Sequence, residues 1–150
     1  MEEAKNANSA MSADYKPYVD KGIKIVGLEP SCLHTLRDEF LAMNPGSDAE
    51  KLADSALMLE EFLVQEQEKG SLEIDFSPMN RKALIHGHCH QKAFGGMGAV
   101  QSALGLIPEL NVELVDSSCC GMAGSFGYEA NHYDVSMAMA ELDLLPAIRN

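Results

Sequence analysis

Four cysteines, Cys32, Cys89, Cys119 and Cys120, are the residues of this chain best suited to chemistry. Thiolates are soft ligands that suit zinc, copper(I) and iron–sulfur clusters. Cys119 and Cys120 are adjacent. Adjacent cysteines do not easily chelate one tetrahedral ion with good geometry. They can ligate two irons of a cluster, or one can ligate while the other stays free. That favours a cluster over a simple four-cysteine zinc site. Cys89 lies within His86-Gly87-His88-Cys89-His90. On an extended segment His86, His88 and His90 would face one way and Cys89 the other. A three-histidine zinc site is therefore a competitor, and a histidine donating to a cluster sulfur would tune its potential. Glu29, three residues before Cys32, could ligate or accept a proton; a helix cap or an ion pair is its plainer role.

Each residue has an ordinary alternative. A lone free cysteine is usually a small buried hydrophobe, and a lone histidine a satisfied polar group. His34 and His132 read as surface or helix residues, and Tyr128 as packing over the site or in the core. The nine methionines read as core filler. Gly121 and Gly124 either let backbone amides approach a cluster sulfur or anion or only form a tight turn. A nucleophilic role for Cys119 or Cys120 finds no basic residue near the pair in sequence to lower a thiol pKa.

The elements that position these residues follow from pattern. Residues 23–28 are β-branched, apolar and bounded by glycine, which predicts a buried strand. Pro30 ends it, and Ser31 can cap a helix over 33–42. Ser47 and Glu50 have capping-box spacing. Leu52, Ala56, Leu59 and Leu63 extend that helix to about residue 68. Residues 72–76 suggest a short edge strand. Residues 83–85 and 112–116 predict two more strands, with helices over 91–104 and 130–144, Pro146 closing the last. Glycines at 95, 96 and 98 weaken the first of these, at ~1 kcal/mol each relative to Ala. Residues 1–13 are small and polar and read as a flexible tail, with a short amphipathic segment from Tyr15 to Asp20. Strands separated by helices imply parallel pairing with right-handed crossovers. The expected fold is α/β, a Rossmann-like open parallel sheet of three to four strands flanked by helices. In such a sheet each cysteine follows a strand, so all four would meet at the edge where open α/β sheets place ligands.

Composition sets the class. Hydrophobic residues make up 46% and charged residues 23%, as in a globular domain. A net charge of −12, from 23 acidic and 11 basic residues, argues against nucleic acid and against an anionic membrane surface. No apolar run approaches the ~18 residues of a membrane span. The acidic start lacks the pattern of an export signal, so the thiols are expected to stay reduced in the cytoplasm.

Three motifs carry a family resemblance: Glu-Pro-Ser-Cys at 29–32, His-Gly-His-Cys-His-Gln-Lys at 86–92, and Ser-Cys-Cys-Gly-Met-Ala-Gly-Ser-Phe-Gly-Tyr-Glu at 118–129. From about Tyr15 onward the chain resembles the cysteine-rich, or CCG, domain. That domain occurs in the B subunit of heterodisulfide reductase, the iron–sulfur subunit of glycolate oxidase and anaerobic glycerol-3-phosphate dehydrogenase. The resemblance is strongest to the C-terminal part of FAD-linked oxidases of D-lactate dehydrogenase type. It implies electron passage from a reduced flavin, through clusters, to a quinone or carrier protein. It also implies an iron–sulfur cluster of 4Fe-4S type, or zinc, on Cys32, Cys89, Cys119 and Cys120. A full family site often includes a Cys-x-x-Cys pair; here Glu29 stands three before Cys32, which leaves one thiolate fewer. The flavin and ferredoxin-like domains lie outside these residues. The resemblance thus implies a C-terminal fragment, 14–150, of a larger oxidoreductase, not catalytic alone and peripheral at the membrane in the full enzyme.

Overall fold

Alanines at 4, 7, 10 and 13 are the strongest helix formers in the N-terminal stretch. In a computed structural model, which describes residues 2–150, they lie in helix α1 (Glu2–Val19). The stretch expected to be a flexible tail is helical, because its polar residues find partners distant in sequence. Asn8 is buried and its Nδ2 donates to Met43 Sδ. Asn44 Nδ2 donates to the Lys5 carbonyl and to Ser9 Oγ.

The chain divides into two compact units, one ending at Glu73 and one beginning at Ile74. In the first, β1 (Ile25–Gly27) pairs in parallel with β2 (Ala56–Met58), Ile25 opposite Ala56 and Gly27 opposite Met58. Helices α2 (Pro30–Arg37), α3 (Glu39–Met43), α4 (Ser47–Ser55) and α5 (Leu59–Glu68) complete it. The helix expected over 33–42 starts earlier and breaks at Asp38. Ser47 is the first helical residue behind Gly46 and does not cap the helix with its side chain. The long helix expected from Ser47 is interrupted by β2. Ala56, Leu57 and Met58 are all buried, and a buried three-residue strand cannot be told from helix by periodicity. Leu33, Leu36, Phe40, Leu52, Ala56 and Met58 form the core of this unit, with Val19 and Ile25 packed on it. His34, in α2, is buried.

In the second unit β3 (Arg81–Ile85) leads through α6 (Cys89–Ala93) and α7 (Met97–Leu104) to β4 (Leu110–Leu114). The strands pair in parallel, Arg81 opposite Leu110 and Ile85 opposite Leu114. The helix expected over 91–104 breaks at Phe94-Gly95-Gly96, where Gly95 takes φ +72°. Two 3₁₀ turns, Phe126–Tyr128 and Ala130–His132, precede α8 (Tyr133–Ala140) and α9 (Leu144–Arg149). Pro146 sits in the first turn of α9, where its missing N–H costs nothing, and so opens a helix instead of closing one. The buried apolar residues described in this unit are Met97, Val115 and Ala140.

The α/β class and the parallel pairing are as expected. The described strands form two two-stranded sheets instead of one sheet of three to four. The difference arises because β1 takes its partner from a segment whose residues read as helix. Residues 72–76 carry no strand. Among the described residues, no helix is long and apolar enough to cross a membrane.

Candidate functional site

With Ile85 opposite Leu114, β3 and β4 run out at the same edge of their sheet. The loops that leave that edge carry Cys89 and Cys119-Cys120. Three of the four candidate ligands are thus delivered to one edge by a single β-α-β crossover. All four thiols are free: Cys32 and Cys89 are exposed, Cys119 and Cys120 half-buried. Cys32 belongs to the first unit, at the corresponding end of β1.

Cys89 is the first residue of α6, and His88 caps it. His88 Nδ1 accepts from the His90 amide at 3.3 Å, and Gln91 Oε1 accepts from the His88 amide at 3.3 Å. His86 Nδ1 lies 2.7 Å from Ser117 Oγ. Burial, and then the charge of Lys92, push the His86 imidazole below its ordinary pKa. The expected alternation of three histidines on one face is therefore corrected. The chain turns helical at Cys89, and each histidine has its own environment. The His88 and His90 rings lie 5.4 Å apart. Among the described residues, no three His, Cys, Asp or Glu side chains are grouped so as to hold a metal ion.

The loop after β4 is held by groups from distant parts of the unit. Lys92 Nζ donates to the Ser117 and Ser118 carbonyls, at 2.6 and 2.7 Å. The Ser118 amide and hydroxyl donate to Asp143 Oδ2, at 3.1 and 2.9 Å. Those two bonds, with a smaller contribution from Lys92, hold the Asp143 carboxyl below the usual carboxylate range. Sequence reasoning assigned no role to Lys92 or Asp143. Their partners lie 25 or 26 residues away, and the one available signal was the placement of Lys92 one helical turn after Cys89.

The Gly121 amide donates to Cys119 Sγ at 3.3 Å, a local bond that closes a turn and brings an amide to a candidate ligand sulfur. Gly121 has φ +86°. A Cβ at Gly121 would lie 2.1 Å from the Ser136 carbonyl oxygen of α8. Only glycine tolerates both the positive φ and the close backbone. Tyr128, expected over the site or in the core, is 82% exposed, because the 3₁₀ turn that carries it points it to solvent. His132 stacks on Phe126 at 4.1 Å.

In the first unit Glu29, not Ser31, caps α2. Its Oε2 accepts from the Cys32 amide at 2.6 Å, and Pro30 occupies the first turn. Hydrogen bonds from the Cys32 amide and thiol pull the Glu29 carboxyl down to about 2. In return, that bond and the Glu29 charge push the Cys32 thiol up. Glu29 thus takes the plainer of its expected roles. Replacement of Glu29 by Ala is expected to cost about 1 kcal/mol, the usual value for a lost N-cap. The denaturant midpoint measures it; an unshifted midpoint would remove the cap from the account of α2. Cys32 is among the residues that line a largely apolar groove of about 600 Å³, with Met11, Tyr15, Leu28, Leu36 and Phe40.

The chain is 29% identical over 119 residues to the C subunit of anaerobic glycerol-3-phosphate dehydrogenase from Escherichia coli (strain K12), across 79% of this chain and 30% of that protein. The same values hold for its counterpart in Escherichia coli O157:H7. It is 28% identical over 123 residues to D-2-hydroxyglutarate dehydrogenase of Escherichia coli (strain K12), across 81% of this chain and 11% of that protein. No protein-family model and no solved structure matches the chain. The chain spans less than a third of the length of these curated relatives, and its similarity is to parts of proteins named as dehydrogenases.

Proposed function

We propose that the chain is an electron-transfer module of a larger flavin-dependent dehydrogenase, a CCG-type domain holding an iron–sulfur cluster of 4Fe-4S type. Cys89, Cys119 and Cys120, all in the second unit, would hold the cluster. The observation that carries this reading is the delivery of three thiols to one edge of the β3–β4 pair, with the Gly121 amide already donating to Cys119 Sγ. The donor set fits the group: thiolates are the standard ligands of iron–sulfur clusters, and hydrogen bonds to their sulfurs tune the potential. When bound, such a cluster supplies a carrier that accepts one electron and passes on one electron.

The protein's residues do the rest. The β3–β4 edge sets where the thiols stand. Gly121 brings a dipole to a sulfur. Glu29, engaged as a cap, contributes no thiolate. The flavin, the 2-hydroxyacid substrate and a ferredoxin-like domain belong to the rest of the parent protein. The acceptor would be a quinone or a carrier protein, met at a peripheral membrane surface or in the cytoplasm. The similarity to two dehydrogenases supports this assignment.

Metal and sulfide analysis with EPR, on protein prepared without oxygen, tests the proposal. The expected result is a brown protein containing iron and sulfide, reduced to a paramagnetic state by dithionite. Cys119→Ser and Cys120→Ser should each bring bound iron to near background. One colourless zinc per chain would overturn the relay and leave a structural or docking module in its place.

A further inference from the structure

The Ser117-Ser118 dipeptide that leads into the paired cysteines is gripped from three places. His86 Nδ1 meets Ser117 Oγ, Asp143 takes the amide and hydroxyl of Ser118, and Lys92 takes both carbonyls. The last contact is unusual in geometry. Successive carbonyls of an extended strand point in opposite directions, so one ammonium can reach two of them only where the chain turns. That turn comes immediately before Cys119. Lys92 in turn sits three residues after Cys89 on α6, on the same helix face. A free lysine side chain would keep its rotamer freedom in water; this one gives it up, half-buried, to join α6 to the loop after β4.

We infer that Lys92 is a positioning residue: by chelating the Ser117 and Ser118 carbonyls it sets the Cys119-Cys120 loop against the helix of Cys89, so that the three thiols are offered as one set to a thiophilic metal. The metal-binding part of this rests on the function proposed above; the loop-setting part does not. An ammonium suits the task because its three donors can be shared between two oxygens. The guanidinium of arginine, with five, can make the same bridge. Methionine, similar in length, cannot.

The test uses the whole metal-free chain, with Lys92→Met and Lys92→Arg, and has two readouts. The first is hydrogen exchange at the amides of residues 119–121. Loss of two hydrogen bonds should speed it about tenfold in K92M, with exchange in β3 and β4 unchanged and K92R close to wild type. The second is titration with cobalt(II), read from its thiolate charge-transfer band. Loss of an outer-shell partner should weaken binding in K92M about 10- to 100-fold, with K92R restoring most of it. Wild-type exchange at 119–121 in K92M overturns the inference. Should K92M loosen the whole unit, K92R decides: protection at 119–121 supports the inference, and fast exchange confined there overturns it. A wild-type chain that gives no thiolate–cobalt band would instead sink the metal-site reading, and exchange alone would then judge the role of Lys92.

Discussion

Gly121→Ala should destabilise the second unit by on the order of 2–6 kcal/mol, more than any other single methyl group added in this loop. Two costs act together. A non-glycine residue held at φ +86° carries about 1–3 kcal/mol of backbone strain. The added Cβ would also stand 2.1 Å from the Ser136 carbonyl oxygen and 2.9 Å from its carbon. Backbone atoms of a helix cannot swing aside as the tip of a side chain can, so overpacking of about 1–3 kcal/mol follows. Gly124 is the control. It has φ +66° but nothing within 4 Å of where an added methyl would stand, so Gly124→Ala should show the strain alone. Denaturant unfolding followed by circular dichroism measures both. Equal losses for the two variants would mean that the loop does not press on α8 at Gly121. The Gly121→Ala chain should also lose the amide donor geometry at Cys119 Sγ.

Arg37→Ala should cost the first unit about 3 kcal/mol, within the 3–5 kcal/mol typical when a buried ion pair loses one partner. Arg37 Nε and Nη2 donate to the Ala56 carbonyl at 2.8 and 2.6 Å, and its guanidinium also forks onto the Glu61 carboxylate. Both side chains are less than a quarter exposed. Glu61 in turn accepts from the Met58 amide. Removal of Arg37 therefore leaves a carboxylate and a strand carbonyl unmatched at once. Burial alone would push the Glu61 carboxyl up; the bonds from Arg37 and Met58 outweigh it and hold the carboxyl below its ordinary value. A carboxyl depressed in the folded state stabilises the fold above its unfolded pKa, near 4.5, and that contribution fades as pH falls through the folded value. Wild-type stability should therefore drop on acidification below about pH 4.5, and Glu61→Gln should flatten that part of the profile. An Arg37→Ala chain with an unshifted unfolding midpoint would show that β2 does not depend on this network.

What could be read in advance depended on how local the cause was. The crossover from β3 to β4 was legible, since apolar β-branched runs flank a glycine-punctuated helical stretch, and the shared edge for Cys89, Cys119 and Cys120 followed from it. β2 was not legible. Ala56, Leu57 and Met58 continue a helical period, and only burial on all sides with Arg37 on the Ala56 carbonyl makes them a strand. The helix at the N-terminus was hidden for the same reason: Asn8 and Asn44 supply its ties, and they are 35 or more residues from their partners. Glu29 as cap was visible in the spacing to Cys32. The bridge made by Lys92 was not, because a lysine in a helix reads as solvated until the chain that comes back to it is known.

The uneven core has a consequence for how the two units respond to heat and to ligands. The first unit buries a cluster that includes Leu33, Leu36, Phe40 and Leu52, while the described buried apolar residues of the second are Met97, Val115 and Ala140. A domain of this size with so little apolar burial has a small margin of its own. Whatever binds its folded form and not its unfolded form then becomes a large share of its stability, by RT ln(1 + [L]/Kd), or about 4 kcal/mol at a thousand times Kd. Occupancy of the thiol edge would thus show in calorimetry as a melting transition of the second unit that moves with ligand concentration.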